Sequence, residues 1–190
     1  SEPLQTPWPW SRIHYSPDGR LIAYGHVRGN GGGPASGQVA VIDTQAWQRR
    51  ALHDFDGRVW PRLSVDGRWT AVAGYGRRLR IFDNAAQNTV LDMRQDDMFD
   101  VAFHPDGETL FVARTDGAIE VRKAPDWQVT GTLTFPLDGP RRWQVAIAVD
   151  PSGQQLLVYG QRGRGEPMNP WLIPITGGEP LPLGAKATTL

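Results

Sequence analysis

The 190-residue sequence predicts an all-β fold built from four copies of one four-stranded antiparallel unit. Two observations carry this prediction. Turn sequences of the Pro-Asp-Gly type recur along the chain, and each is followed by a short apolar run of strand length. Each copy then supplies two further strand-like segments. The composition agrees, because 22 glycines and 16 prolines suit a chain with many reversals.

The clearest copy spans residues 101–121. A short apolar strand, Val101–Phe103, precedes the turn Pro105-Asp106-Gly107, in which proline presets φ and glycine accepts a positive φ. The apolar run 110–113 follows. Asp116-Gly117 is a strong hairpin signal, and the residues after it alternate between apolar and polar, which is typical of a half-buried strand. The copy therefore predicts strand, turn, strand, turn, strand.

The same pattern recurs with a period of about 40–50 residues. The residues at the turn-proline position are Pro17, Val65, Pro105 and Pro151. Two positions before them lie Tyr15, Leu63, Phe103 and Val149, and seven positions after them lie Tyr24, Val72, Val112 and Val158. The predicted third strands are Val39–Ile42, Leu79–Phe82, Ile119–Val121 and Trp171–Ile175. The predicted fourth segments are Arg50–His53, Thr89–Asp92, Val129–Leu133 and Pro180–Leu183.

Four strands per repeat at this period indicate the blades of a β-propeller. We expect residues 1–190 to form one propeller domain, with blades at about 8–54, 55–94, 95–137 and 138–184. The loop between the second and third strands is long in the first and fourth copies.

The turn "SPDG" at Ser16–Gly19 and its counterparts resemble the WD-repeat family and its relatives with this turn, such as the propeller domain of the periplasmic Tol translocation protein. The resemblance covers about residues 11–183. The family's Trp-Asp dipeptide appears only as Ile42-Asp43 and Phe82-Asp83, and its place is taken by Arg122-Lys123 in the third copy and by Pro174-Ile175 in the fourth. The Gly-His that opens family repeats is missing, so the family's His-Asp network does not transfer to this chain.

Four blades present a problem of closure, because each blade needs neighbours over its two faces. A tight four-blade ring, an eight-blade ring made of two chains, or a segment of a larger propeller would each solve it. We expect either half of an eight-bladed ring, which would make the chain a homodimer, or a segment whose remaining blades belong to a larger chain.

The candidate binding surface is the loop face, opposite the Pro-Asp-Gly turns. Arginine and tryptophan are common at the centres of protein interfaces, and both are frequent in these loops. The residues expected to bind a partner are Trp10, Arg28, Arg58, Trp60, Tyr75, Arg77, Asp97, Arg142, Trp143, Arg162 and Arg164. The competing interpretation is that the tryptophans pack between blades and the arginines are merely solvated.

No motif predicts catalysis, a cofactor or a bound metal. The glycine-rich segment 28–37 lacks the Gly-Lys-Ser/Thr ending of a phosphate loop. The four histidines lack metal-ligand spacing, and the chain has no cysteine. A formal net charge of zero gives no general attraction to nucleic acid, and no apolar run is long enough to insert into a membrane.

The leading hypothesis is therefore a non-catalytic scaffold or sensor propeller, of bacterial type, that binds a protein or peptide through its loop face. The alternative, which the Tol-type resemblance suggests, is a periplasmic propeller that binds a small ligand or gates a substrate. An excised or engineered segment without independent function is a further alternative. The first residue is Ser, as a processed N-terminus would leave it, and the compartment stays open between cytoplasm and periplasm.

Overall fold

A computed structural model describes residues 13–28, 36–56, 59–74, 78–94, 98–137, 143–162, 166–167 and 169–184. Every regular element in these ranges is a β-strand, and the strands form four antiparallel sheets. The predicted all-β fold is thereby confirmed. The chain divides into two compact units, Ser1–Asp96 and Asp97–Leu190, and each unit contains two of the sheets.

Unit 1 contains two sheets in which each strand pairs with its neighbour in sequence. Sheet 1 consists of β1 (Ile13–Tyr15), β2 (Leu21–Arg28), β3 (Ser36–Asp43) and β4 (Gln48–Asp56). Sheet 2 consists of β5 (Val59–Leu63), β6 (Trp69–Gly74), β7 (Arg78–Asp83) and β8 (Asn88–Arg94).

Unit 2 repeats this arrangement with one addition. Sheet 3 consists of β9 (Met98–Phe103), β10 (Thr109–Arg114), β11 (Ala118–Lys123) and β12 (Gln128–Thr134). Sheet 4 consists of β13 (Trp143–Val149), β14 (Gln155–Arg162), β16 (Trp171–Pro174) and β17 (Leu181–Pro182), with the two-residue β15 (Glu166–Pro167) pairing β14. The fourth blade therefore has a fifth strand inside a segment that the sequence predicted as a long loop.

The turn between the first and second strands has the same conformation in all four sheets. Its glycine takes a positive φ of 69° at Gly19, 70° at Gly67, 74° at Gly107 and 74° at Gly153. Each of these glycines donates its N–H to the backbone oxygen three residues earlier, over 2.8–3.0 Å. Because a positive φ is strained for residues with a Cβ, glycine is required at the end of this turn.

The turn between the third and fourth strands uses different chemistry. In sheet 1 the carboxylate of Asp43 accepts the backbone N–H groups of the two residues that follow Thr44, and Asp83 does the same in sheet 2. The last residue of this turn has a positive φ although it is not glycine, at Trp47, Gln87 and Trp127. Asp43 and Asp83, which occupy the aspartate position of the family's Trp-Asp dipeptide, thus cap tight turns.

The core of unit 1 forms where one face of sheet 1 packs on one face of sheet 2. Throughout, face A of a sheet is the face that carries Tyr24, Val72, Val112 or Val158, and face B is its reverse, which carries Ala23, Ala71, Phe111 or Leu157. Face B of sheet 1 meets face A of sheet 2. The buried residues of this core are Ala23, Val39, Val41, Ala51, Phe55, Leu63, Val72 and Phe82.

The core of unit 2 follows the same rule. Face B of sheet 3 meets face A of sheet 4. Its buried residues are Ala102, Phe111, Ala113, Ile119, Phe135, Val145, Ile147, Leu156, Val158 and Ile173. In each unit, then, face B of the earlier sheet covers face A of the next one, which is how blades stack in a repeat array.

Replacing Ser64 with Ala should destabilise the chain by about 1–3 kcal/mol, because a buried backbone N–H loses its acceptor. Ser64 is fully buried, its hydroxyl accepts the N–H of Trp69 at 2.9 Å, and it donates to Asp66 at 2.6 Å. Ser152→Ala is the control, since Ser152 is an exposed turn serine bonded to Asp150. Urea unfolding measures both, and an equal loss in the two variants would contradict this account.

Candidate functional site

Each sheet has two chemically different ends. The turns between the first and second strands and between the third and fourth strands lie at the same end of the strands, which is called the turn end here. The connections between the second and third strands, and those that follow the fourth strand, lie at the opposite end of the strands, which is called the loop end. Antiparallel pairing alone requires this division within every sheet.

The polar side chains of the turn end are engaged in holding their turns. Asp18 accepts the Ser16 hydroxyl at 2.6 Å and the backbone N–H of Arg20 at 3.0 Å. Asp106 accepts the Thr109 hydroxyl at 2.7 Å together with two backbone N–H groups. These aspartates act as caps that hold their turns.

A cleft of about 470 Å³ lies in unit 1 at the turn end of its two sheets. Its volume is in the range of small-ligand pockets. It has apolar side chains at Leu21, Val41 and Val65 and a polar rim. The complete lining is Asp18, Arg20, Leu21, Val41, Asp43, Arg50, Val65, Asp66, Gly67, Asn84, Ala85 and Gln87.

The buried carboxylate at this cleft is held ionised. Asp43 accepts the Arg50 guanidinium at 2.6 Å, and this hydrogen bond, with those from two backbone N–H groups, lowers the pKa of Asp43 to about 2 against an opposing effect of desolvation. A carboxylate with this pKa donates no proton near neutral pH. Asp43 is therefore a structural ion in the cleft and does not have the pKa of a general acid.

Asn84 also lines the cleft, and both polar atoms of its side-chain amide are hydrogen-bonded. Its Oδ1 receives the Thr70 hydroxyl at 2.8 Å and lies 3.1 Å from Nε2 of His53, while its Nδ2 donates to the backbone oxygen of Gly67 at 2.9 Å. The His53 ring stacks on Phe82 with centroids 4.1 Å apart. Burial lowers the pKa of His53, so this ring is neutral and joins sheets 1 and 2.

Two more histidines, one in each unit, join the two sheets of that unit. His14 lies in the first strand of sheet 1, and His104 directly follows the first strand of sheet 3. His14 Nδ1 accepts the backbone N–H of Leu63 at 3.2 Å in unit 1. His104 Nε2 lies 3.0 Å from the backbone oxygen of Gly153 in unit 2. Both contacts join one sheet to the next and are structural.

Most of the predicted partner-binding residues lie outside the described residues. These are Trp10, Arg58, Tyr75, Arg77, Asp97, Arg142 and Arg164. For three others the structure gives the backbone position: Arg28 ends β2, Trp143 begins β13 and Arg162 ends β14. Trp60 lies within β5, where it is partly buried and pairs with Ala73, so it sits beside the loops and not in one.

The structure brings two of these residues together at the loop end of sheet 4. Trp143 and Arg162 are direct partners in the β13–β14 register. At the loop end of sheet 2, Arg78, which follows Arg77 in sequence, makes a two-point ion pair with Asp92, at 2.5 and 2.6 Å. Arg80 shares the same carboxylate at 2.9 Å. Sheet 4 therefore has a tryptophan and an arginine in register at its loop end, and sheet 2 has an ordered charge network at its own loop end.

Sequence reasoning missed two features. The cleft of unit 1 depends on how two sheets pack, which no local motif encodes. The buried ion pair between Glu120 and Arg122 was also missed. The sequence did contain a signal for it, since these charged residues alternate with Ile119 and Val121 on β11.

In the part of the chain that the structure describes, no three His, Asp or Glu side chains are grouped closely enough to hold a metal ion. No helix among those residues is long and apolar enough to cross a membrane.

Comparison with known proteins identifies the fold. No protein-family model matches the chain, and no curated protein sequence matches it. Solved structures do match. One of them is the β-propeller domain of Cps50 (Swd1) from Myceliophteria thermophila, with 15% sequence identity and a TM-score of 0.63. The match covers 86% of this chain and 51% of that domain, so the chain spans about half the length of the propeller it resembles. The likeness confirms the β-propeller fold and supports the WD-repeat resemblance at the level of fold.

Proposed function

We propose that this chain is a non-catalytic β-propeller module that binds a protein or peptide through the loop end of its sheets. The observation that carries the proposal is the pairing of Trp143 with Arg162 at the loop end of sheet 4. Arg142 and Arg164 lie next to this pair in sequence. Tryptophan and arginine supply large contact areas and charge-assisted hydrogen bonds, which is why they dominate the binding energy of many interfaces.

The contrast between the two ends supports the same conclusion. At the turn end Asp18 and Asp106 cap their turns, and His14 and His104 each contact the backbone of the neighbouring sheet in their unit. Side chains that hold a fold cannot be given over to a partner without a loss of stability. Propellers commonly carry their variable loops at one end of the blades, and binding residues lie disproportionately on loops.

A random peptide library displayed on phage tests the proposal. We expect selected peptides to bind at least about 10-fold more weakly to a triple variant, Arg142→Ala with Arg162→Ala and Arg164→Ala. The control is Arg20→Ala with Arg68→Ala at the turn end, where both side chains are about half exposed and each pairs with an aspartate. Peptides whose affinity falls equally in both variants, or a failure to select any peptide, would overturn the proposal.

A small ligand is the second candidate, and the cleft of unit 1 is the observation that favours it. Its volume and its mixture of apolar and charged lining suit a small polar molecule. This candidate corresponds to the small-ligand alternative that the sequence left open. Val65→Trp would fill the cleft. Fragments detected by ligand-observed NMR should lose binding in that variant and keep it in the loop-end triple variant; fragments that still bind the Val65→Trp variant would exclude the cleft as their site.

A further inference from the structure

In the part of the chain that the structure describes, two sheet faces carry exposed apolar side chains. The first is face A of sheet 1, where Ile13 is 59% exposed and Tyr15 is 57% exposed. The second is face B of sheet 4, where Tyr159 is 47% exposed and Leu181 is 59% exposed. Large apolar side chains grouped on one sheet face are unusual on a protein surface and indicate a place where another surface packs.

Strand register shows that each group is one continuous face. Residues that pair directly across antiparallel strands point to the same side of the sheet. The residues of face A of sheet 1 are Ile13, Tyr15, Ile22, Tyr24, Ala40, Ile42 and Leu52. The residues of face B of sheet 4 are Ala146, Ala148, Leu157, Tyr159, Leu172 and Leu181.

Equivalent positions elsewhere in the chain are fully covered. Leu63 occupies in sheet 2 the position of Tyr15 in sheet 1, and it is only 2% exposed because sheet 1 packs on it. Ala113 occupies in sheet 3 the position of Tyr159 in sheet 4, and it is 0% exposed against sheet 4. The exposed faces therefore carry the residue type of a blade interface without the covering blade.

The two exposed faces are also of opposite kinds. Within unit 1 a face B packs on a face A, and within unit 2 a face B again packs on a face A. Among the described residues, face A of sheet 1 and face B of sheet 4 carry the exposed apolar side chains, and these are the two kinds of face that meet in this way. A surface of one kind that fits a surface of the other kind on the same molecule predicts a head-to-tail contact between copies.

We propose that a second copy of this chain covers both faces, with face B of sheet 4 of each protomer packing on face A of sheet 1 of its partner. Two such contacts, related by a two-fold axis, would cover both of these exposed faces on each protomer. The complementary kinds of the two faces favour a second copy as the occupant, because one copy carries both the face A and the face B that the contact requires. This contact uses the sheet faces and is independent of the loop-end binding proposed above.

Light scattering coupled to size exclusion, over a dilution series of the whole chain, tests the proposal. We expect a species of twice the 21.0 kDa chain mass. Tyr15→Glu should abolish it by placing a charge in both contacts, and Tyr159→Glu should do the same from the other side. Val129→Glu is the matched control, because Val129 is 47% exposed on β12 of sheet 3, away from both faces, and the dimer should persist.

Mixing the two variants gives the sharpest result. An equimolar mixture of Tyr15→Glu and Tyr159→Glu chains can form one contact free of substitutions, so a heterodimer should reappear where neither variant dimerises by itself. Its recovery also shows that both variants are folded. A folded wild-type monomer at every concentration would overturn the proposal and leave these faces to blades from another chain. A mixture that stays monomeric would overturn the head-to-tail pairing, and an assembly larger than a dimer would overturn its closure into a two-fold dimer.

Discussion

Replacing Glu120 with Ala should destabilise the folded chain by about 3–5 kcal/mol, because the substitution leaves a buried guanidinium without its counter-ion. Glu120 and Arg122 are only 8% and 7% exposed. One carboxylate oxygen of Glu120 accepts Nε and Nη2 of Arg122 at 3.0 and 2.6 Å, and the other accepts Nη1 of Arg114 at 3.1 Å. Arg122 Nη1 also donates to the backbone oxygen of Trp127 at 3.0 Å.

The double variant Glu120→Leu with Arg122→Met is the informative control. Removing both charges avoids the uncompensated ion, so this variant should lie closer to the wild type than Glu120→Ala does, even though it loses the bond to Trp127. Urea unfolding at neutral pH measures both changes. A Glu120→Ala variant within about 1 kcal/mol of the wild type would show that the pair contributes no more than an exposed salt bridge.

The chain should lose about 2–3 kcal/mol of stability as pH falls from 6.5 to about 4, and His14 should be the main cause. Burial, with a smaller effect of the Arg62 charge, lowers the pKa of His14 from 6.5 to about 4. In this window the unfolded chain binds a proton at His14 and the folded chain does not, so acid favours unfolding. Protonation would also remove the acceptor for the Leu63 N–H.

His14→Asn isolates this effect, because asparagine offers an acceptor near the Nδ1 position but does not titrate. Unfolding free energies measured across this pH range should fall less steeply in the variant than in the wild type. A residual slope is expected from His53, whose pKa burial also lowers. The pKa of Asp43 is about 2, so its protonation acts below this window. Equal slopes in wild type and variant would assign the acid sensitivity to other groups.

Much of the fold could be predicted because its signals are local. A proline, an aspartate and a glycine in succession specify a tight turn, and the four turn glycines have nearly identical positive φ values. Period-two alternation then specifies strands, since a half-buried strand exposes every second residue. Repetition of these signals was enough to place four sheets. The short β15 was missed because two residues carry no pattern.

The candidate site could be predicted only in outline. Arginine and tryptophan near strand ends predicted a binding surface at the loop end, and the register of β13 with β14 places Trp143 opposite Arg162. The cleft of unit 1 had no signal of its own. Its carboxylate at Asp43 was visible as part of a turn motif, but the cleft exists only where a second sheet packs nearby.

Sequence by itself determined the turns, the strands and their order, because those follow from the conformational preferences of neighbouring residues. The tertiary structure decided which faces are covered. Trp47 and Trp127 occupy the same turn position with nearly the same positive φ, yet Trp47 is 77% exposed and Trp127 is fully buried. The backbone φ is therefore nearly the same at the two sites. What differs is the packing around them, which only the arrangement of residues distant in sequence can supply.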